Sequence, residues 1–342
     1  MQFLNFAICL IFVTFVFCYK TDGKAEVKQL SFGQLQSWEN HGKDLYIQML
    51  PLGDGDSTIV SCPNGDVVVV DMGKPGNLGW TESMVTSYLR KILNNVTTIV
   101  ISHSTPEHFN FLPKVFHLNN TNALNRVVLA GKSEDYTDSS IKKWITAHSN
   151  IVEFVNEQRP CISECKATPP ICNGTKNVTF RYLGANLGMT KAGRSIMMQI
   201  TAPNFQLLLP GDFQGEDIEE LIAAEWDRLG QPIKSNHMKL SRHGSTKDCN
   251  SKYLIKGASP EFAYTSNSYP GENLQYPSCS TIDRLLQIRT IRKRSETAPF
   301  SCFNSENEQV DQYRSWPYQI YSTAPAKEEY KLISIRVPIP HE

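Results

Sequence analysis

Four short polar segments carry the residue types that bind a divalent metal. They are Asp71-Met72-Gly73, Ser102-His103-Ser104-Thr105-Pro106-Glu107-His108, Gly211-Asp212 and Arg242-His243-Gly244-Ser245. Carboxylates and imidazoles drawn from separate segments are the ingredients of a zinc-type site. The chemistry such a set supports is hydrolysis by a metal-activated water. A lone histidine ahead of a helix is more often a polar cap than a ligand. Four segments that each close an apolar run make the stronger pattern. Ser245 follows His243-Gly244, but no serine, histidine and aspartate stand in an order that would make it a nucleophile.

The elements that must position these segments follow from hydrophobic periodicity. Strands are expected at Leu45–Leu50, Ser57–Cys62, Val67–Asp71, Val96–Ser102 and Arg126–Ala130. A second set is expected at Val178–Leu183, Ser195–Ala202, Phe205–Pro210, His237–Leu240 and Glu261–Tyr264. Helices fit Thr81–Leu93, a stretch from about His108, Ser139–Ala147, Glu216–Leu229, Cys249–Lys256 and Ser280–Ile288. Glu157–Thr175 breaks the alternation and reads as an inserted, disulfide-tied loop. Two halves of one style, with no clear linker, predict a single α+β domain of two packed sheets covered by helices. Its expected span is 45–342, after a leader at 19–44. The basic run Arg289, Arg292, Lys293 and Arg294 reads as a solvated helix end.

The 342 residues carry 34 Lys+Arg against 34 Asp+Glu, so no net charge. That excludes a generally basic nucleic-acid coat and an acidic tail protein. The apolar run Phe6–Phe17 is too short to span a bilayer and reads as a secretory signal peptide over Met1–Cys18. No later segment is apolar enough to cross a membrane, so the mature form is expected to be secreted and free of one. Beyond Cys18 the cysteines are Cys62, Cys161, Cys165, Cys172, Cys249, Cys279 and Cys302. An oxidising compartment and the lack of a nearby histidine favour disulfides over zinc for Cys161, Cys165 and Cys172. At least one bridge is expected from that loop and another from Cys249, Cys279 and Cys302, with Cys62 as the odd thiol. Sequons stand at Asn95, Asn119, Asn173 and Asn177, candidate glycosylation sites in a secreted chain.

The run Leu52-Gly53-Asp54-Gly55-Asp56-Ser57, then Pro63-Asn64-Gly65, then Val70-Asp71-Met72-Gly73, resembles the opening of metallo-β-lactamase-fold proteins. The likeness is nearest to the β-lactamase-like domain of bacterial competence proteins of the ComEC type. Ile101-Ser102-His103, Leu209-Pro210-Gly211-Asp212 and Met238-Lys239-Leu240-Ser241-Arg242-His243-Gly244-Ser245 continue that family's pattern in order. The resemblance covers about Leu45 to Leu286 and implies an αββα sandwich. It also implies metal-dependent hydrolysis, with phosphodiesters of extracellular nucleic acid as a substrate class by analogy only. His103, Glu107, His108, Asp212 and His243 then correspond to metal ligands, and Asp71 to an anchor of the histidine loop.

Departures from the pattern define two competing readings. Thr105 stands where the family has its middle histidine, Glu107 replaces an aspartate, and Arg242 replaces the first of two histidines. Gln275-Tyr276-Pro277-Ser278 lacks the imidazoles often found there. In one reading Arg242 fills the emptied pocket, pairs with Asp212 or Glu107, and no metal binds; hydrolase activity is then reduced or lost. In the other, one Zn²⁺ sits on Glu107, His108, Asp212 and His243, and the protein is a one-metal extracellular hydrolase, a phosphodiesterase or nuclease. Both require His103, His108, Asp212 and His243 to converge at one end of the sandwich.

Overall fold

The computed structural model describes residues 24–32, 43–53, 55–73, 80–116, 123–155, 171–172, 175, 177–188, 190–267, 276–304, 309–325 and 330–339. The signal-peptide stretch, Cys161, Cys165, Asn119 and Asn173 lie outside them.

Strand β1 (Glu26–Leu30) forms the outer edge of a first mixed sheet. β2 (Leu45–Met49), β3 (Thr58–Ser61) and β4 (Val67–Val70) run as an antiparallel meander, the last two joined by the turn at Pro63–Gly65. β5 (Val96–Ile101), β6 (Arg126–Ala130) and β7 (Val152–Val155) then add in parallel. The second mixed sheet holds β8 (Thr179–Gly184), β9 (Met197–Ala202), β10 (Phe205–Leu209), β11 (His237–Lys239) and β12 (Phe262–Thr265). β13 (Lys293–Phe303) and β14 (Gln309–Tyr318) form a separate ribbon. β15 (Ile320–Ser322) closes the second sheet, and β16 (Leu332–Val337) returns to lie between β1 and β2.

The layering follows from the two-residue period of a strand. Val68 and Val70 face the space between the sheets with Leu207, Leu209, Met198 and Ile200. Val67 and Val69, on the opposite face of β4, pack with Ile99, Ile101, Val127 and Leu129 under an outer helical layer. That layer uses Val85 and Leu89 of α1 (Glu82–Arg90), Phe109 of α2 (Pro106–Phe109), Leu112 of α3 (Leu112–Val115) and Ile141 and Trp144 of α4 (Ser139–Ala147). On the far side Leu208, Met238, Leu240 and Ala263 meet α5 (Glu216–Arg228), α6 (Lys252–Ala258) and α7 (Cys279–Gln287). The result is the αββα sandwich of two mixed sheets. Side-chain caps start three of the helices: Thr81 on Met84, Asp138 on Ser140 and Ile141, and Ser251 on Leu254.

Several elements differ from expectation. Glu26–Leu30, upstream of Leu45, pairs with β16 and so belongs to the sheet. The basic run is not a solvated helix end. Lys293 opens β13, Arg292 pairs with Glu261, and Arg294 donates to the Tyr318 carbonyl at 2.6 Å and lies 4.1 Å over the Tyr321 ring. Cys62 is not the odd thiol. It bonds Cys172 across 110 residues, with Cα atoms 5.2 Å apart, because the residue after β3 and Cys172 both sit in the inter-sheet core. Cys279 bonds Cys302. Cys249, expected in a bridge, is a free buried thiol. It donates to the Ser245 carbonyl at 3.3 Å, and burial pushes its pKa up to about 12.

The Cys62–Cys172 bond closes a long loop and should stabilise the fold mainly by restricting the unfolded chain. Cys172→Ala is expected to lower the unfolding free energy by about 2–4 kcal/mol in urea titrations. Peptide mapping without reduction should recover Cys62 linked to Cys172; an unpaired Cys62 in the native protein would contradict the assignment.

Candidate metal centre

The polar segments leave strands that run the same way within each sheet. Asp71 follows β4, Ser102 and His103 follow β5, Asp212 follows β10, Arg242 and His243 follow β11, and Ser266 follows β12. The chain turns sharply where it leaves these strands. Asp71, Arg242 and His243 adopt φ of 62°, 45° and 56°, left-handed values that non-glycine residues rarely take outside constrained sites. Gly73 is required for a different reason. A Cβ there would lie 1.7 Å from the Glu107 carbonyl oxygen. Without one, the Gly73 N–H donates to the Asp56 carbonyl and the Asp56 N–H donates to that of Glu107, at 2.9 and 3.1 Å. Met72 donates to the carbonyl of His108 at 2.7 Å. The loops after β2, β4 and β5 are thus tied backbone to backbone.

His103, His108 and Asp212 present ligand atoms within 4.8 Å of one another, and all three side chains are buried. Asp71 organises the histidine loop. Its carboxylate accepts from the Ser102 N–H at 2.6 Å and the Ser102 hydroxyl at 2.8 Å, and lies 3.0 Å from His108 Nδ1. A carboxylate on Nδ1 holds the proton there and leaves the Nε2 lone pair for a ligand. Nε2 faces Asp212 Oδ2 at 3.6 Å, beyond hydrogen-bond reach. His108 Nε2 and Asp212 Oδ1 are both buried without a hydrogen bond. Buried polar atoms rarely go unpaired, and a carboxylate oxygen beside an imidazole nitrogen is a donor set suited to a divalent ion. The residues present therefore fit a metal.

The electrostatics agree with a site built around negative charge. Burial opposes ionisation of Asp212, but His108, His103 and His243 outweigh it and hold the carboxyl well below its usual range. Burial also disfavours a charge on His108, yet Asp71 and Asp212 raise it well above an ordinary imidazole. His103 moves the other way, through burial and its neighbour His108, whose ring centroid is 3.9 Å away. Its Nε2 lies 4.0 Å from Asp212 Oδ2 and 2.5 Å from the Thr105 hydroxyl. Thr105 is the N-cap of α2, but its side chain turns to His103 instead of capping the helix.

Glu107 and His243 join the sequence-predicted site differently. Glu107 supplies its backbone carbonyl to Asp56, and its side chain is not among the clustered ligand atoms. His243 is buried beside them and acts on the charges of Asp212 and Asp56. Its Nδ1 lies 2.7 Å from the Ser266 carbonyl, while the Thr265 hydroxyl donates to its backbone oxygen at 2.6 Å. Arg242 does not pair with Asp212 or Glu107. The left-handed turn at 242–243 leaves it half-buried, at a distance from which its charge lowers the pKa of His103.

Sequence reasoning missed a second set behind the first. Asp56, Asp71 and His108 also present ligand atoms within 4.8 Å of one another. Lys239 Nζ sits 2.5 Å from Asp56 Oδ2, both side chains buried, and the Ser266 hydroxyl donates to Asp56 Oδ1. Burial opposes the charge on both partners. Their mutual attraction prevails, holding Asp56 down at about 2 and Lys239 above its ordinary value. The available signal was the Asp56 and Lys239 of the quoted motifs, read as pattern and not as a pair.

No known protein-family profile matches the chain, and no curated protein sequence matches it. Solved structures do align. The metallo-β-lactamase fold protein YhfI of Bacillus subtilis is 9% identical, covering 71% of this chain and 92% of its own, with a TM-score of 0.41. Igni18, a metallo hydrolase of the archaeon Ignicoccus hospitalis, is 10% identical over 78% of this chain and 97% of its own, with a TM-score of 0.46. Neither carries the argument for the site, which rests on the distances above.

The Asp56–Lys239 pair has a pH signature. The folded carboxyl titrates near 2, below the unfolded value of about 4, so ionised Asp56 stabilises the fold above pH 4. That contribution, about 2 kcal/mol, is lost as pH falls from about 4 to 2. Asp56→Asn, which leaves Lys239 buried and unpaired, is expected to lower stability at neutral pH by about 3–5 kcal/mol. It should also flatten the acid limb, and denaturant titrations across pH check both.

Proposed function

We propose that this is a secreted protein of the metallo-β-lactamase superfamily, competence-type branch. In this reading it keeps one divalent-metal position, at His103, His108 and Asp212, and has reduced hydrolase capacity. The observation that carries the reading is the orphaned pair of buried atoms, His108 Nε2 and Asp212 Oδ1. Secretion is supported by the apolar N-terminal run and by two disulfides, bonds that persist in oxidising compartments. No helix among the described residues is long and apolar enough to cross a membrane. Asn177 is exposed at the turn before β8, and Asn95 is half-buried ahead of β5; both remain candidate glycosylation sites.

A bound divalent ion would lower the pKa of a water towards ~7 and polarise a scissile phosphoester or acyl bond. The chain's own residues divide the remaining work. Asp71 fixes the tautomer and direction of His108 through the 3.0 Å contact to Nδ1. Ser102 holds Asp71 with two hydrogen bonds. Thr105 occupies His103 Nε2 with a hydroxyl where a further imidazole would ligate, which weakens the set and reduces capacity. His243 is held through Nδ1 by the Ser266 carbonyl, near enough for its ring to act on the charge of Asp212.

Elemental analysis of protein dialysed against zinc should find about one ion per chain, matching one set of ligands. Asp212→Asn should abolish binding, and Asp71→Asn should weaken it by about 10–100-fold, the usual effect of losing a partner behind the ligands. Thr105→His is expected to tighten binding and raise hydrolysis of a simple phosphodiester such as bis-p-nitrophenyl phosphate. Wild-type protein that stays metal-free under these conditions would overturn the reading.

A further inference from the structure

We infer that a cavity at the end of the sandwich opposite the metal centre binds a small aromatic oxyanion, a carboxylate or a phosphate ester, whose oxygen accepts a hydrogen bond from His237 Nε2. Such a site exists whether or not His103, His108 and Asp212 hold a metal.

Strands β10, β11 and β12 run parallel, and the metal-centre segments follow their last residues. Their first residues, Phe205, His237 and Phe262, therefore lie at the other end. There they line a cavity of about 610 Å³, a size in the range of small-molecule sites. His237 is its buried polar side chain, 1% exposed. Phe262 stacks on the ring at 4.4 Å with the planes 3° apart, and the Phe205 ring lies 4.6 Å away. His237 Nδ1 is 2.5 Å from the Tyr264 hydroxyl. Its Nε2 has no hydrogen-bond partner among the described residues, yet it is not sealed in the core as the Nε2 atoms of His108 and His148 are. It therefore opens on the cavity that the residue lines.

The position of the imidazole proton follows from Tyr264. Burial raises the pKa of this phenol well above its usual value, so it keeps its proton. His237 Nδ1 is the acceptor that the structure places within reach of that proton. With Nδ1 accepting, a neutral imidazole carries its own proton on Nε2. The ring is neutral because burial, and then Arg292, lower its pKa to about 3. The cavity thus holds one fixed N–H donor, which calls for an acceptor oxygen. The rim sets the sign of the ligand. Lys24, Lys234 and Arg292 stand there against one carboxylate, Glu261, which pairs with Arg292. Lys234 is exposed and enters no ion pair among the described residues. This excess of positive charge favours an anion, and Phe205 and Phe262 offer ring surface to an aromatic body.

Calorimetric titrations of chelator-stripped protein with 2-naphthoate, 2-naphthyl phosphate and neutral 2-naphthamide test the site. At least one anion should bind at one per chain, and which one does so tells a carboxylate site from a phosphate-ester site. The amide should bind at least about tenfold more weakly. His237→Phe keeps a stacked ring and removes the donor; it should weaken the anion by about 10–100-fold, the ordinary worth of a hydrogen bond to a charged group. Lys234→Glu, an exposed change that spares the core, should weaken the anion and not the amide, and less so at high salt. Asp212→Asn, at the other end, should bind the anion as wild type does, whatever its metal content. Nitrogen NMR of the wild-type protein should find the His237 proton on Nε2, a readout that stands even if His237→Phe does not fold. A proton on Nδ1, equal affinity for the amide, or no binding of either anion overturns the inference. So does anion binding that survives His237→Phe and Lys234→Glu but is lost in Asp212→Asn, which would place the anion at the metal centre.

Discussion

Three aspartates, Asp56, Asp71 and Asp212, are buried at the same end of one sandwich, and their negative charge has to be met locally. An unpaired carboxylate in so dry a place would give up its charge or unfold its surroundings. The chain answers with Lys239 on Asp56 and His108 between Asp71 and Asp212. Those contacts connect the two sheets, because Asp56 and Asp71 come from the first and Lys239 and Asp212 from the second. The site is therefore also part of what orders the sheets against each other.

Apolar alternation makes this arrangement available. Each valine of β4 is committed to one of two layers, so the strand has a single register, and Asp71 at its end has a single position. The same reasoning holds for Leu207, Leu208 and Leu209 ahead of Gly211-Asp212. At these strand ends the backbone leaves ordinary conformations. The left-handed residues 71, 242 and 243 and the close approach at Gly73 all fall in the segments that carry polar groups. Strain of this kind persists where surrounding packing over-determines it. A second buried network supports the 242–245 turn from behind. Asn250 bonds the carbonyls of Ser241 and Ser245, while Glu219 of α5 accepts from the backbone N–H groups of Asn250 and Ser251.

The departures from the metallo-β-lactamase pattern acquire distinct physical meanings. Thr105, where the resembled pattern has a histidine, turns its hydroxyl to His103. Arg242 was the natural candidate for a built-in counter-charge, because a guanidinium pairs well with carboxylates. The counter-charge is present, but it is Lys239, a residue that matches the pattern. Arg242 sits half-buried on a left-handed turn, with no ion pair to Asp212. A motif comparison registers which residues change; it does not register which unchanged residue carries the charge.

Strands with alternating or continuous apolar runs, such as Val67–Val70, Arg126–Ala130 and Phe205–Leu209, were legible because burial of a face leaves its period in the chain. So were the polar segments at their ends, including His103, His108 and Asp212, because polar residues abruptly closing a buried strand need a local reason. β1, β7 and the ribbon of β13 and β14 were not legible. Edge strands bury less, and the Lys293–Phe303 segment is largely exposed over its first half. The partner of Cys62 and the free state of Cys249 were equally out of reach, since disulfide pairing depends on Cα separation in space and not on order along the chain. Composition and periodicity by themselves determined the layers and the strand ends. Which carboxylate meets which cation across 183 residues, as Asp56 meets Lys239, was decided only by the packing of one sheet on the other, because Coulomb attraction acts through distance in space, which sequence separation does not encode.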